Sequence, residues 1–413
     1  MQLVAYGAQD VYLTGNPKVT FFQAVYKRHT NFAMENIEQT VNGTASNSGR
    51  VSVTIARNGD LVSDMYVELK ALPGLAESSG SADDDCWAAE RAIKDVELSI
   101  GGQRIDKHYQ RWWRLYSELY LDESKKASWG KMTTPGTDGG QIFLPLIFFF
   151  NRNPGLALPL IALQYHEVRL DFDLSSEFEL YTDGTTFKVW ANYVYLDTEE
   201  RRRFAQKGHE YLIEQVQHTG TDALATAGNT KQIRLSYNHP VKELVWCADH
   251  GSVSRANLWN FTSATDVVLA SNVCTGGESG NCFISTAFTG GPLLKATDGG
   301  GAWTEEASGP IDTFKLVLNG QDRFKEQTGK YFNSVQTFNH HTGSPVPGVY
   351  AYSFALKPEE HQPTGTCNFS RIDNAQVAIK TKAGATAQNL NMFAVNYNVL
   401  RIQSGMGGLA FSN

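Results

Sequence analysis

The stretch Asp95-Val-Glu-Leu-Ser-Ile-Gly-Gly-Gln-Arg-Ile105 alternates apolar and polar residues, breaks at Gly101-Gly102, and resumes. Successive side chains of a strand point to opposite faces, so this pattern predicts two half-buried strands. A two-residue turn between such strands needs positive φ at both central positions, which glycine adopts without steric cost. The stretch is expected to be a β-hairpin. Thr313-Phe-Lys-Leu-Val-Leu-Asn-Gly-Gln-Asp-Arg323 repeats it. Leu316, Leu318, Gly320 and Gln321 stand for Leu98, Ile100, Gly102 and Gln103.

Three further blocks recur in the same order. Ile37-Glu38-Gln39 returns as Ile213-Glu214-Gln215. Val53-Thr-Ile-Ala-Arg-Asn58 returns as Ile233-Arg-Leu-Ser-Tyr-Asn238, each followed by a strand pattern. Trp190-Ala-Asn-Tyr193 returns as Phe393-Ala-Val-Asn-Tyr397, one residue longer. Any one match is compatible with chance, but four in order indicate a duplicated β-unit. The separation between copies jumps between the second and third blocks. An insertion therefore lies in the second half, between about residues 250 and 312, and its Ser, Thr, Gly and Asn content marks an exposed loop.

Between the copies, Asp197-Thr-Glu-Glu-Arg-Arg-Arg-Phe-Ala-Gln206 carries a capping aspartate, early acids and later bases, the signature of a short linking helix. Its Arg201-Arg202-Arg203 run reads as a solvated face rather than a nucleic-acid contact. Each half holds about eight short strands punctuated by turns. The expected fold is all-β: two tandem eight-stranded jelly-roll sandwiches with short helices, over residues 1–208 and 209–413. Residues 111–121 are expected to form a helix across a sandwich edge. Residues 142–163, broken by Asn151-Arg152-Asn153-Pro154, read as two buried strands joined by a turn, too interrupted for a membrane span. Asn16-Pro17 followed by Phe21, Phe22, Val25 and Tyr26 suggests a helix or turn, either packed on its own sandwich or docking on a neighbour. The acidic residues 76–86 read as a solvated loop.

With 413 residues, two units of ordinary size are expected. Hydrophobic content of 41% against 19% charged residues fits a folded protein rather than a disordered one. A net charge of −7 argues against direct nucleic-acid wrapping. The five cysteines form no CxxC pair and are odd in number, which suits free thiols in a reducing compartment. Cys274 and Cys282 share a loop, and their pairing in an oxidised particle is left open. Residues 1–7 lack a basic stretch and an apolar core, so no secretory signal is expected. Gln2 stands where myristoylation requires glycine.

The sequence lacks a phosphate-binding GxxxxGK[ST] loop, an HExxH zinc pair and a GxSxG nucleophile elbow. Gly405-Met-Gly-Gly-Leu-Ala410 imitates a dinucleotide fingerprint without the strand–helix context it needs. His340-His341 has no spaced third ligand and reads as an exposed or hydrogen-bonded pair. Glu167, Asp171 and Asp173 share one strand face as surface charges, although glycan-cleaving β-sandwiches do use facing carboxylates. No enzyme activity, cofactor or metal site is expected. The Asn-x-Ser/Thr triplets begin at Asn42, Asn260 and Asn368, no more often than chance allows. Asn260 is the one inside the insertion.

Several motifs resemble the major capsid proteins of large icosahedral double-stranded DNA viruses of algae, the chlorovirus and phycodnavirus double jelly-roll family. They are Gln2-Leu-Val-Ala-Tyr-Gly-Ala-Gln-Asp-Val-Tyr-Leu-Thr-Gly-Asn-Pro17, Leu144-Pro-Leu-Ile-Phe-Phe-Phe-Asn151, residues 154–167, Gly365-Thr-Cys-Asn-Phe-Ser-Arg-Ile-Asp-Asn374 and Ser404-Gly-Met-Gly-Gly-Leu-Ala410. The resemblance spans nearly the whole chain. It implies a homotrimeric capsomer of pseudo-hexagonal outline in a virion capsid assembled in the host cytoplasm. Its partners would be neighbouring capsomers and minor capsid proteins, over an internal membrane that the chain does not span. It also implies N-glycans on outward loops of the second unit, which makes Asn260, Asn272 and Asn281 candidates by loop position. A glycan-bearing loop of the family is shortened here around residues 382–388. The alternatives are a minor capsid or spike paralogue, and a glycan-binding or glycan-cleaving double β-sandwich.

Overall fold

The computed structural model of the protein describes residues 7–73, 87–136, 139–225, 228–250, 258–259, 261, 267–269, 294–296, 309–385 and 389–411. Asn260, Asn272, Asn281, Cys274, Cys282 and the whole acidic 76–86 loop lie outside these residues.

Sixteen principal strands among the described residues fall into two sets of eight. The first set is β1 (Phe32–Gln39), β2 (Arg50–Thr54), β3 (Leu61–Ala71), β4 (Ile93–Ile100), β5 (Gln103–Tyr109), β6 (Gly140–Pro145), β7 (Val168–Leu174) and β8 (Thr182–Leu196). The second is β9 (His209–Ala223), β10 (Thr230–Leu235), β11 (Pro240–Ala248), β12 (Ile311–Leu318), β13 (Gln321–Asp322), β14 (Val349–Ser353), β15 (Ala375–Thr381) and β16 (Asn389–Gln403). The sheets of the first set run β1-β8-β3-β6 and β2-β7-β4-β5; those of the second run β9-β16-β11-β14 and β10-β15-β12-β13. Each strand of the second set takes the place of the one eight earlier, and neighbouring strands pair antiparallel. This is the jelly-roll connectivity, twice. A final strand, β17 (Met406–Leu409), folds back on β16.

Both hairpin turns have the backbone their residues permit. Gly101 and Gly102 sit at φ +57° and +82°, Asn319 and Gly320 at +51° and +78°. Among the described residues, α1 (Gln110–Tyr120) and α2 (Glu123–Thr133) link β5 to β6, α3 (Thr198–Gln206) joins the sandwiches, α4 (Gln336–His340) links β13 to β14, and shorter helices lie at Ala88–Ala92 and Phe178–Tyr181. A π-helical stretch, Tyr331–Val335, leads directly into α4.

Two expectations need correction. Residues 17–31 form no helix, and Val19, Phe21, Phe22, Val25 and Tyr26 are all exposed, so the segment does not pack on its own sandwich. A short amphipathic segment cannot hold helical structure without a surface to pack on. The 142–163 region is also not a pair of strands. After β6 come a helical turn at Phe149–Arg152, a 3-10 turn at Pro154–Leu156 and the two-residue strand Leu158–Pro159. Asn151 drives this, since its side chain accepts a hydrogen bond from the Phe148 N–H and donates to the carbonyl of Ser63.

Candidate subunit interface

Along β11, alternate residues enter different cores. Leu244 and Trp246 point into the second sandwich, beside Leu316, Tyr350 and Met392. Val245 and Cys247 point the other way, into an apolar cluster continuous with the first sandwich's core. Phe393, Val395, Val349 and Ala351 do the same, so sheet β9-β16-β11-β14 is buried on both faces.

The covering element is α1. Trp112, Tyr116 and Tyr120 recur at i, i+4 and i+8 and form one aromatic stripe. The Trp112 ring lies 5.7 Å from Phe393, which is also stacked on His218 at 4.4 Å. Burying each such ring stabilises the seam by roughly 1.5–3 kcal/mol.

Polar contacts fix the seam's edges. The Arg111 guanidinium lies 2.7 Å from Asp249, donates to the carbonyl of Leu258 and sits 5.7 Å from the Trp259 ring, which anchors the root of the long insertion. Lys126 donates to the carbonyl of Ser344, and the Val346 N–H donates to Glu118. Beneath them Glu90 is wholly buried between Arg114 at 3.4 Å and the Trp129 N–H at 2.5 Å. Burial raises its pKa, with Arg114 and Trp129 acting against the rise.

At one end of the seam a cavity of about 350 Å³ is lined by Tyr116, Arg152, Glu214, Glu359 and His361 among others. Glu214 lies 2.8 Å from Arg152 of the first sandwich and 2.8 Å from Lys242 of its own. Burial pushes its carboxyl up, but Arg152, His361 and Lys242 together outweigh this and hold it down at about 2. Burial lowers Lys242 to about 8 although Glu214 opposes the fall. His341 is buried with Nε2 3.0 Å from Glu243 and Nδ1 3.3 Å from Glu359. Burial alone would lower its pKa; the two carboxylates raise it to about 9.

The hairpin that reveals the duplication belongs to this seam. Gln103 accepts from the Leu409 N–H on β17, and His166 Nδ1 lies 3.1 Å from the Gly407 N–H. Nearby, Gln215 on β9 donates to the carbonyl of Ile105 on β5, and the Val216 N–H donates to Asp106. The chain's last strand thus ties the second sandwich to the first.

Among the described residues, sheet β1-β8-β3-β6 has no such cover over Trp190. Trp190, Tyr66 and Phe143 point outward and are half-buried, with Tyr66 6.5 Å from Trp190 and 5.7 Å from Phe143. Trp190 donates to Glu68, and Tyr66 donates to Asn36. Beside them, Leu121, Trp129, Met132 and Leu146 help line a groove of about 600 Å³. Met34 on β1 is exposed, as are Val335 and Phe338 at α4, Phe338 at 86%.

His341 is hydrogen-bonded as the sequence suggests, and His340 faces the carbonyl of Leu356. Asp171 is bound by Arg169 and Ser52, and Asp173 faces Arg50. Among the described residues no cluster of His, Cys, Asp and Glu could hold a metal ion. Cys247 and Cys367 are free thiols, and burial raises the pKa of both. The seam itself escaped the sequence reading, although a signal was present. Met392-Phe-Ala-Val395 is an unbroken apolar run in β16, a strand buried at almost every position, whereas β8 alternates buried and half-buried residues.

Two jelly rolls in tandem, joined by a packed seam and leaving one equivalent face open, define a structural building block of the viral double jelly-roll class. The description "Large eukaryotic DNA virus major capsid protein" fits residues 200–408, and "Major capsid protein N-terminus" fits residues 20–197. The chain is 44% identical over 452 aligned residues to the major capsid protein of Paramecium bursaria Chlorella virus 1, covering 100% of this chain and 99% of that one. It is 40% identical to that of Phaeocystis pouchetii virus with the same coverage. A quasi-atomic model of the PBCV-1 virus capsid superposes with a TM-score of 0.80 at 41% identity, over 95% of this chain and 100% of that chain. The Faustovirus major capsid protein shares the fold, with a TM-score of 0.71 at 13% identity, over 96% of this chain and 94% of that one. The chain belongs to the major capsid protein family of large eukaryotic DNA viruses, and it is a structural component of the virion capsid rather than an enzyme.

Proposed function

We propose that three copies of this chain form a pseudo-hexagonal capsomer that tiles an icosahedral shell over an internal membrane. The observation that carries this reading is the difference between the two equivalent sheets. Sheet β9-β16-β11-β14 is covered on its outer face by the chain's own α1, whereas the outer face of β1-β8-β3-β6 carries aromatic residues and, among the described residues, no equivalent helix. A contact that joins first to second sandwich within a chain can be repeated from second to first between chains. Such head-to-tail contacts close into a ring rather than a pair.

In this reading the units are residues 1–208 and 209–413, the second carrying a long exposed insertion at about 250–312. N-glycans at Asn260, Asn272 and Asn281 would lie on that insertion. Neighbouring capsomers and minor capsid proteins are the other partners, and nucleic acid is not contacted directly. Among the described residues no helix is long and apolar enough to cross a membrane.

Size-exclusion chromatography with light scattering tests the assembly. A species of three times the chain mass is expected, and a strictly monomeric protein would overturn the reading. Glycopeptide mass spectrometry of virion-derived protein tests the three asparagines.

A further inference from the structure

We infer that α4 of one copy docks on the open face of sheet β1-β8-β3-β6 of the next, placing Phe338 against Trp190. This inference rests on the trimeric reading and names the surface that would hold the ring together.

The internal repeat supplies the reason. Within the chain, the helix linking the fifth and sixth strands of the first sandwich, α1, covers the outer face of the second sandwich's sheet. Its Trp112 meets Phe393. Phe393 and Trp190 open the same repeated block, both point outward, and each lies opposite the third strand of its sandwich, at Val245 and Tyr66. One is covered and the other is not. The helix in the matching connection of the second sandwich is α4 with the turn before it. Val335 and Phe338, three residues apart on one face, are exposed there. The chain therefore has an uncovered copy of each half of its own seam, a face without a helix and a helix without a face.

The strand edges say the same independently. Within the chain, β9 meets β5 through Gln215 and Val216. Their counterparts, β1 and β13, are both exposed, including Met34 on β1 and Gln321 and Asp322 on β13. Repeating the seam between copies covers edge and face in one step. The groove of about 600 Å³ beside Tyr66 and Phe143 gives the incoming ring a place to enter.

The test combines a photo-crosslinker with two charge substitutions, on the full-length protein. Benzoylphenylalanine at position 338 is expected to crosslink between copies to the peptide carrying Trp190 or Tyr66. Phe338→Glu and Trp190→Glu are each expected to weaken trimer association at least about ten-fold while leaving the circular dichroism of the chain unchanged. Phe338→Leu should retain the trimer. A trimeric wild type whose two charged variants associate equally well would overturn this seam and leave the trimer standing. So would a crosslink within the same chain or to another face. A monomeric wild type would instead overturn the trimeric reading itself.

Discussion

The indole of Trp112 and the phenyl ring of Phe393 pack with centroids 5.7 Å apart and planes inclined at 44°, joining the helix of one jelly roll to the sheet of the other. Both rings are buried. Truncating Trp112 to alanine would leave a void that neither sandwich can close alone, because each wall is a rigid sheet or helix. Trp112→Ala should cost about 3–5 kcal/mol of stability. Urea unfolding followed by fluorescence measures this, and a loss below about 1 kcal/mol would mean the seam contributes little to holding the sandwiches together.

The four repeated blocks fall on equivalent strands, which is why the fold was legible. Alternation and turn chemistry are local, and a jelly roll is largely a sequence of such local instructions. Register was less legible: Ile37 lies opposite Ala191 but Ile213 lies opposite Asn398, so that block matches by strand and not by residue. The seam was hidden for another reason. Whether an outward aromatic such as Phe393 is covered depends on where a distant helix lands; the apolar run Met392–Val395 marks a strand buried on both faces but does not say which element covers it. The α2 helix was missed because Glu123–Thr133 presents no single apolar stripe. It is held instead by Lys126, Trp129 and the cap at Asp122.

His341 makes the seam sensitive to alkali. Its pKa is about 9 in the folded chain against an ordinary 6.5, so the folded state binds its proton more tightly. The stabilisation is complete below about pH 6.5 and is lost as pH rises through about 9, and its size is on the order of 3 kcal/mol. Lys242 acts in the opposite sense over a higher range. Its folded pKa of about 8 lies below the ordinary 10.5, so raising the pH from 8 to 10.5 relieves the cost of burying its charge. A fall in stability between pH 6.5 and 9 that disappears in His341→Gln is therefore expected. Denaturation midpoints across that range would show it, and an unchanged profile in the variant would refute the assignment.

Glu214 neutralises two cations from two sandwiches. Glu214→Gln would leave Arg152 and Lys242 facing each other across a partly dry cavity. Breaking a buried pair from one side costs about 3–5 kcal/mol. The double variant Glu214→Gln, Lys242→Met should recover part of that loss by removing one stranded charge. A double variant no more stable than the single would show that Lys242 carries no uncompensated charge there.

The exposed N-terminal segment gives the opposite expectation. Residues 11–30 bury no side chain, and their hydrogen bonds are local, such as Thr14 to the carbonyl of Asp10. Removing residues 1–30 should leave the chain's unfolding free energy within about 0.5 kcal/mol of the wild type. A larger loss, seen in the same urea titration, would reveal packing of this segment on its own sandwich.

The two hairpins that mark the duplication should respond differently to the same substitution. Gly101 and Gly320 both have positive φ, so alanine strains the backbone at either by about 1 kcal/mol. Around Gly320 nothing lies within 4 Å of an added Cβ. At Gly101 the added atom would overlap the His166 ring, which is fixed by its contact with Gly407 on β17. Overpacking there adds about 1–3 kcal/mol and loosens the tie between the sandwiches. Gly101→Ala should therefore be the more damaging substitution by at least about 1 kcal/mol, with the excess reduced in a Gly101→Ala, His166→Ala double variant. Equal losses at the two turns would show that His166 moves aside freely and that the first hairpin is not braced by the seam.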